Sequence, residues 1–196
     1  MAASVHGPPD HQLLAKAREG DQQAFRLLVE RYEGRVAATV IGMLGPGEEA
    51  EDVGQEVFVR LFRALDKFRE ESGLGTYLTR IAINLSLTAL QKRKRRAWVG
   101  RLTGGGRDEG WQVPDPAEDE AHGDNREWVQ AGLQRLDSRF RAVLVLRLME
   151  GYSTKETAQI LNIREGTVLS RLARGQDKLR EILKKLEETV PLAQSK

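Results

Sequence analysis

Between Gly151 and Leu183 the chain reads GYSTKETAQILNIREGTVLSRLARGQDKLREIL, and few folds accommodate such a segment. Ser153 and Glu156 make the S-x-x-E pattern of a capping box, in which side chains and backbone at a helix start satisfy each other's orphan N–H groups. Ala158 and Ile160 follow at inward spacing. Leu161, Asn162 and Ile163 then form a short, mostly apolar corner, and asparagine tolerates the left-handed backbone such a corner needs. A second helix is predicted from Arg164 or Glu165, with Val168, Leu172 and Leu179 on its inner face. Thr167, Ser170, Arg171, Arg174 and Lys178 occupy the opposite face. Two helices joined this tightly form a helix-turn-helix. An outward stripe of hydroxyls, guanidiniums and an ammonium suits base edges and phosphates in a DNA major groove. A helical hairpin with a solvated basic face would account for the charges alone. It leaves the cap, the small Ala158, the short turn and the hydroxyls unexplained.

The 196 residues suffice for one or two small domains with cores of their own. Basic residues number 31 and acidic residues 29, so the net charge is only +2. Its local distribution says more than the total. The absence of cysteine excludes a disulfide framework, a cysteine-ligated zinc and a thiol nucleophile. The opening MAASVHGPPDHQ has neither the basic flank nor the apolar stretch of a signal peptide. No apolar run reaches the length of a membrane span, so a soluble cytoplasmic protein without membrane insertion is expected. His6, His11 and His122 lie in expected tails and linker without metal-ligand spacing. Gly104, Gly105 and Gly106 lack the G-x-x-x-x-G-K-[ST] pattern of a phosphate loop. A nuclease or nucleotidyltransferase is therefore disfavoured, and no cofactor, metal or catalytic residue is expected.

The apolar periodicity is helical almost throughout and strand alternation is absent, so the expected class is all-α. Helices are predicted over 10–19, 21–44, 48–66, 76–96, 125–136, 138–150, 153–161 and 165–188. Asp10 and Asp21 are the candidate N-caps of the first two. Gly45-Pro46-Gly47 should end the second. Periodicity fails after residue 96, around Gly104–Gly106 and Pro114-Asp115-Pro116. Residues 108–127 hold eight acids and one base, whereas 91–101 hold six bases and no acid. Two small helical domains, 10–96 and 128–188, joined by a flexible acidic linker over 97–127, are the expected organisation. Such domains need not touch.

In the first domain the loop KFREESGLGTYL sets Phe68, Arg69, Ser72, Thr76 and Tyr77 among glycines. Aromatic, hydroxyl and arginine groups there suit a splayed single-stranded base, by stacking, edge bonding and phosphate contact. Phe68 and Tyr77 equally suit core positions beneath a capped helix start. Arg80, Asn84, Gln91 and Arg95 continue a polar stripe toward the basic run Lys92, Arg93, Lys94, Arg95 and Arg96. Upstream, Asp52-x-x-Gln55-Glu56-x-Phe58 reads either as surface charge, with Glu56 and Arg60 paired at i, i+4, or as a docking face for a basic helical partner.

With these motifs in order, residues 21–96 resemble region 2, and residues 128–184 region 4, of the extracytoplasmic-function (ECF) sigma factors, small members of the bacterial sigma-70 family. The resemblance implies a promoter-recognition subunit of RNA polymerase rather than an enzyme. It implies that Asp52, Gln55 and Glu56, supported by Phe58, dock on the coiled coil of the polymerase β′ subunit. It assigns the melted −10 element to Ser72, Thr76, Tyr77, Arg80 and Asn84, with Lys92, Arg93, Lys94 and Arg95 on phosphate. The −35 duplex falls to Arg164, Thr167, Ser170, Arg171, Arg174 and Lys178, with region 4 also reaching the β flap. It further implies an anti-sigma factor that covers both domains. The acidic linker resembles the stretch that threads toward the RNA exit path. The chain departs from the family pattern at Leu169, where a base is usual, and at Gly175-Gln176-Asp177, where the glycine should loosen the helix by about 1 kcal/mol. Tyr77 replaces a common tryptophan, and Leu74 a common aromatic. The competing reading is a stand-alone helix-turn-helix regulator that binds its operator without polymerase.

Overall fold

The computed structural model describes residues 7–68, 73–102 and 124–189. The chain runs α1 (Asp10–Arg18), α2 (Gln22–Leu44), α3 (Glu48–Ala64), a 3-10 turn at Leu65–Lys67 and α4 (Leu74–Leu102). It continues through α5 (Asp124–Arg135), α6 (Ser138–Leu144), α7 (Thr154–Leu161) and α8 (Glu165–Thr189). A π-helical turn at Val145–Met149 extends α6. No strand occurs among the described residues.

Asp21 caps α2 as its chemistry predicts, its Oδ1 accepting from the backbone N–H of Gln23 at 2.9 Å and Ala24 at 3.1 Å. Asp10 does not cap α1, because Pro9 occupies that position. Its carboxylate instead receives the Arg31 guanidinium and the Tyr32 phenol. Burial, then the bond to Asp10, pushes the Tyr32 phenol up to about 12. Gly45 at φ 84° and Gly47 at φ 129° end α2 in backbone that a Cβ disfavours.

The first core is built from Leu13 and Leu14 of α1, Leu28, Val40 and Met43 of α2, Val57 and Leu61 of α3, and Leu78, Ala82 and Ile83 of α4. Each is 1% exposed or less, so each contributes about 1.5–3 kcal/mol of burial, alanine less. The buried side of α4 runs through Leu78, Ala82, Ile83, Ser86 and Ala89, while Ile81 and Leu85 are only partly covered. Helix α4 also runs to Leu102, six residues beyond the point where periodicity fails, since exposed helix needs no apolar face.

The second half forms two smaller clusters. Leu133, Leu136, Phe140 and Leu144 meet Leu172, Leu179 and Ile182, while Val143, Ala158 and Val168 close the helix-turn-helix junction. Gly175 does not break α8, which is continuous from Glu165 to Thr189. The glycine is buried where α8 rests on α6, and a Cβ there would lie 3.4 Å from Phe140 and Leu144, an ordinary van der Waals contact.

The two halves, whose contact the sequence left open, touch. Ala142, Val145, Leu146, Tyr152 and Ile160 join the same apolar cluster as α1–α4. A Cβ on Gly42 would come within 3.0 Å of Val145, so α2 and the π-helical turn meet almost backbone to side chain. The last turn of α2 exposes carbonyls that no N–H of the helix can reach. Donors from the second half meet two of them, Gln134 donating to Gly42 O at 3.3 Å and Arg141 to Met43 O, and Gln130 adds a bond of 2.6 Å to Ile41 O, which already accepts the Gly45 N–H at 2.8 Å. Burial, with Arg93 nearby, lowers the Arg141 guanidinium to about 10, which leaves it charged at neutral pH. Deeper in the seam the hydroxyls of Thr79 and Tyr152 bond at 2.9 Å.

Glu150 sits at this seam with a side chain 7% exposed, beside Thr39 and 4.0 Å from Arg35. Burial raises its carboxyl above the ordinary 4.5, outweighing the Thr39 bond and the Arg35 charge. The folded state thus holds a proton that the unfolded chain releases first, so stability falls as pH rises from 4.5 through the raised value. Glu150→Gln, neutral at every pH, is expected to raise the melting temperature at pH 7 and leave it unchanged at pH 4. Parallel melts of the two proteins check this, and a lowered melting temperature at pH 7 would refute it.

Candidate nucleic-acid interface

The helix-turn-helix forms as its residues dictate. Ser153 Oγ accepts from the Glu156 N–H at 3.2 Å, and Glu156 Oε2 accepts from the Ser153 N–H at 2.8 Å. The bonds from Ser153, side chain first and then backbone, hold the Glu156 carboxyl below its ordinary range. Asn162 takes the left-handed corner at φ 51°, ψ 50°, and Ile163 N–H bonds back to Ala158 O. Val168 is fully buried and Leu172 and Leu179 are partly buried, which turns the other face of α8 outward. On that face Ser170, Arg174 and Lys178 are exposed, Thr167 and Arg171 are half-buried, and Arg164 is exposed just ahead of it. Ser170 Oγ donates to Thr167 O at 3.1 Å, leaving its lone pairs outward. Leu169 is 56% exposed in the middle of this surface, where an apolar side chain can meet a thymine methyl but not a phosphate.

On the first half, α3 keeps Val57 and Leu61 inward and presents Asp52 and Gln55 to solvent. Glu56 is half-buried and accepts from Arg60 Nε at 3.1 Å, the predicted i, i+4 pair. Phe58 is partly buried and packs against the core, so it supports this face from beneath. Two residues that sequence reasoning missed lie beside the acids: Val59, 39% exposed, and Phe62, 60% exposed. They follow Asp52 by seven and ten positions, on the same side of a 3.6-residue helix. The Phe62 ring leans edge-on against Phe25 with centroids 5.3 Å apart. An apolar residue on the wrong side of an amphipathic pattern was the signal available.

Helix α4 presents Thr76, Tyr77 and Arg80 half-buried and Asn84 exposed, on one side. Phe68 is 8% exposed and packs its ring 4.7 Å from Tyr77, so it is a core residue and does not offer a ring to a base. Tyr77 itself is half-buried. Arg18, on α1, donates to Leu65 O at 3.0 Å and Phe68 O at 2.7 Å, holding the chain that leads toward α4. Arg69 and Ser72 lie outside the described residues. In the basic run Lys92, Arg95 and Arg96 are exposed. Arg93 is instead ion-paired with Glu49 and reaches Leu44 O at 3.5 Å, and Lys94 lies 3.9 Å from Asp137 of the second half. Arg93 is thus held against the start of α3, where Glu49 sits in the first turn. The residues are thus gathered in three exposed patches, on α3, on α4 and on α8.

Comparison with known proteins accounts for this division. Sigma-70 region 2 matches residues 28–96 and sigma-70 region 4 matches residues 126–179. The RNA polymerase sigma-H factor of Pseudomonas aeruginosa is 32% identical over 183 residues, covering 90% of this chain and 95% of that protein. The ECF RNA polymerase sigma-E factor of Escherichia coli K12 is 33% identical over 174 residues, covering 86% and 91%. The structure of CnrH in complex with the cytosolic domain of CnrY superposes with a TM-score of 0.62 at 28% identity, covering 90% of this chain and 97% of that one. Two matched regions in family order, on a helical fold with a formed helix-turn-helix, lead to one conclusion: this chain belongs to the extracytoplasmic-function sigma factors of the bacterial sigma-70 family.

Proposed function

We propose that the three patches divide the work of promoter recognition among themselves. The face of α3 formed by Asp52, Gln55, Glu56, Val59 and Phe62 docks on the β′ coiled coil of core polymerase. Acids ringing an exposed aromatic suit a basic helical partner with an apolar centre. The α4 patch of Thr76, Tyr77, Arg80 and Asn84, with Ser72 ahead of it, captures melted −10 DNA, and Lys92, Arg95 and Arg96 hold phosphate. Lys94, at the edge of the seam, joins them when Asp137 moves away. The α8 face reads −35 duplex through Arg164, Thr167, Ser170, Arg171, Arg174 and Lys178, while region 4 also contacts the β flap. The protein works in the cytoplasm beside the polymerase and catalyses nothing itself. CnrH is solved with the cytosolic domain of CnrY, and an anti-sigma factor is proposed as the corresponding partner here.

The observation that carries this reading is the pairing of the capped helix-turn-helix with an exposed acidic-aromatic face on a separate half. A stand-alone regulator needs no such docking face. Run-off transcription with purified core polymerase and genomic fragments tests it. Specific transcripts should require both proteins, and the isolated chain should bind the same duplexes weakly. Tight, specific duplex binding without core would favour the regulator instead. Arg171→Ala is expected to lower transcription from those promoters by about 10–100-fold, the worth of one good base or phosphate contact. Helix content by circular dichroism should not change, and an unaltered transcript level would remove Arg171 from the reader.

A further inference from the structure

We infer that Leu169 is a specificity-determining residue: seated in the major groove, it reads the 5-methyl group of a thymine in the upstream element. This role rests on α8 being the −35 reader, and it names one base that the reader selects. Leu169 is 56% exposed, and among the described residues it is the one large apolar side chain that α8 turns to solvent. The other apolar side chains of the helix face inward. Val168 is buried, and Leu172, Leu179 and Ile182 are partly buried against α5 and α6. A single exposed leucine is ordinary on a protein surface. The neighbours of this one give it meaning.

The helical period divides the outward side of α8 into two flanks, with Ser170 between them. Thr167, Arg171, Arg174 and Lys178 follow one flank, a hydroxyl and three cations. Glu165, Leu169, Ala173 and Gln176 follow the other at three- and four-residue spacing, and all four are exposed. No cation stands among these four, and Arg180, next on that flank, bonds to Asp177 at 3.0 Å. A flank that begins with a carboxylate and carries no positive charge has nothing to hold a phosphate. It is suited to base edges instead. There the 5-methyl of thymine is the apolar group on display, and the rest of the major-groove pattern is hydrogen-bond donors and acceptors. Leu169 stands about 6 Å along the axis from Glu165, the first residue of α8. That is the part of a recognition helix that meets bases. A helix about 10–12 Å across fills a groove about 12 Å wide, so the leucine leaves bulk water on docking. Over a thymine it covers a methyl. Over a cytosine it would cover an amino donor and leave it without a partner, which costs affinity. Arg171 and Arg174 on the opposite flank hold the register in which this choice is made.

The test uses the full chain with core polymerase on a promoter fragment that gives specific run-off. Each thymine of the −35 element, on either strand, is replaced in turn by deoxyuridine, which removes the 5-methyl group and keeps the base pair. At one of these positions the wild type should lose about fourfold in apparent affinity by competition run-off, the factor that one buried methyl is worth. Leu169→Ala should bind the unmodified promoter more weakly by a similar factor and be indifferent to deoxyuridine at that position. Leu169→Met, which keeps an apolar side chain of similar reach, should retain the methyl dependence. Both variants should keep the helix content of wild type, since the side chain is exposed. An upstream element without thymine would overturn the assignment and leave the promoter reading intact. So would a wild type that responds to deoxyuridine at no position, or an equal response in Leu169→Ala. Weaker core binding by Leu169→Ala with the methyl dependence retained would place a protein on this leucine and overturn the assignment likewise. Absence of specific run-off from wild type with active core would overturn both readings.

Discussion

Replacing Asp52 and Gln55 together with alanine is expected to weaken binding to core polymerase by about 100-fold, through loss of about 3 kcal/mol shared between two central contacts. The fold should not register the change. Both side chains are exposed on α3, whose hold on the domain comes from Val57 and Leu61 on its other side. Surface substitutions of this kind stay within about 0.5 kcal/mol of wild-type stability. Phe62→Ala should add to the loss, since a 60%-exposed ring at such a face is the obvious apolar anchor. Phe58→Ala should behave oppositely, lowering stability by about 3–5 kcal/mol at most through a cavity, with affinity following only as the fold fails. Anisotropy titrations against labelled core, with parallel thermal melts, separate the two classes. Unchanged core affinity in the double variant would mean that the docking face lies elsewhere.

Arg141→Ala should cost about 3 kcal/mol and lower the melting temperature by about 6–12 °C. The guanidinium is nearly enclosed and serves four acceptors from two halves of the protein: Met43 O, Gln134 Oε1, Gln134 O and Leu136 O. Its charge also lies at the C-terminal end of α2, where the helix dipole is negative. Alanine removes every one of these bonds and leaves the carbonyls to find water in a closed seam. Lysine should rescue little, because a single ammonium cannot serve acceptors arranged for a planar fork. Differential scanning calorimetry of the three proteins is the check. A melting temperature within 2 °C of wild type for Arg141→Ala would show that the seam contributes little to the folded state.

The local structure was legible from the residues because its causes are local. The Ser153–Glu156 box, the left-handed Asn162 and the Asp21 cap each depend on groups within four residues of one another. The inward set Val168, Leu172 and Leu179 depends only on helical period. Phe68 and Tyr77 were undecided for the opposite reason. A ring on a glycine-rich loop can stack on a base or fill a core, and only the position of α1 and α4 around it selects the core for Phe68. Gly175 shows the same limit: its helix propensity is intrinsic, but that it faces Phe140 and Leu144 is set by another helix.

The sequence by itself determined the eight helices found among the described residues, the Asp21 and Ser153 caps, the helix-turn-helix and the membership of a family with two separable regions. Those follow from spacing and short-range bonds, which a chain carries wherever it goes. Only the tertiary structure decided which apolar faces meet. Val145 and Leu146 are buried in one apolar cluster with α1–α4 of the other half, where Gly42 of α2 meets Val145. Hydrophobic burial has no direction, so a pattern announces that a face will be covered without naming what covers it. The partner was chosen by shape and by polar groups: a glycine that admits Val145, and carbonyls at a helix end, those of Gly42 and Met43, that Gln134 and Arg141 were placed to satisfy.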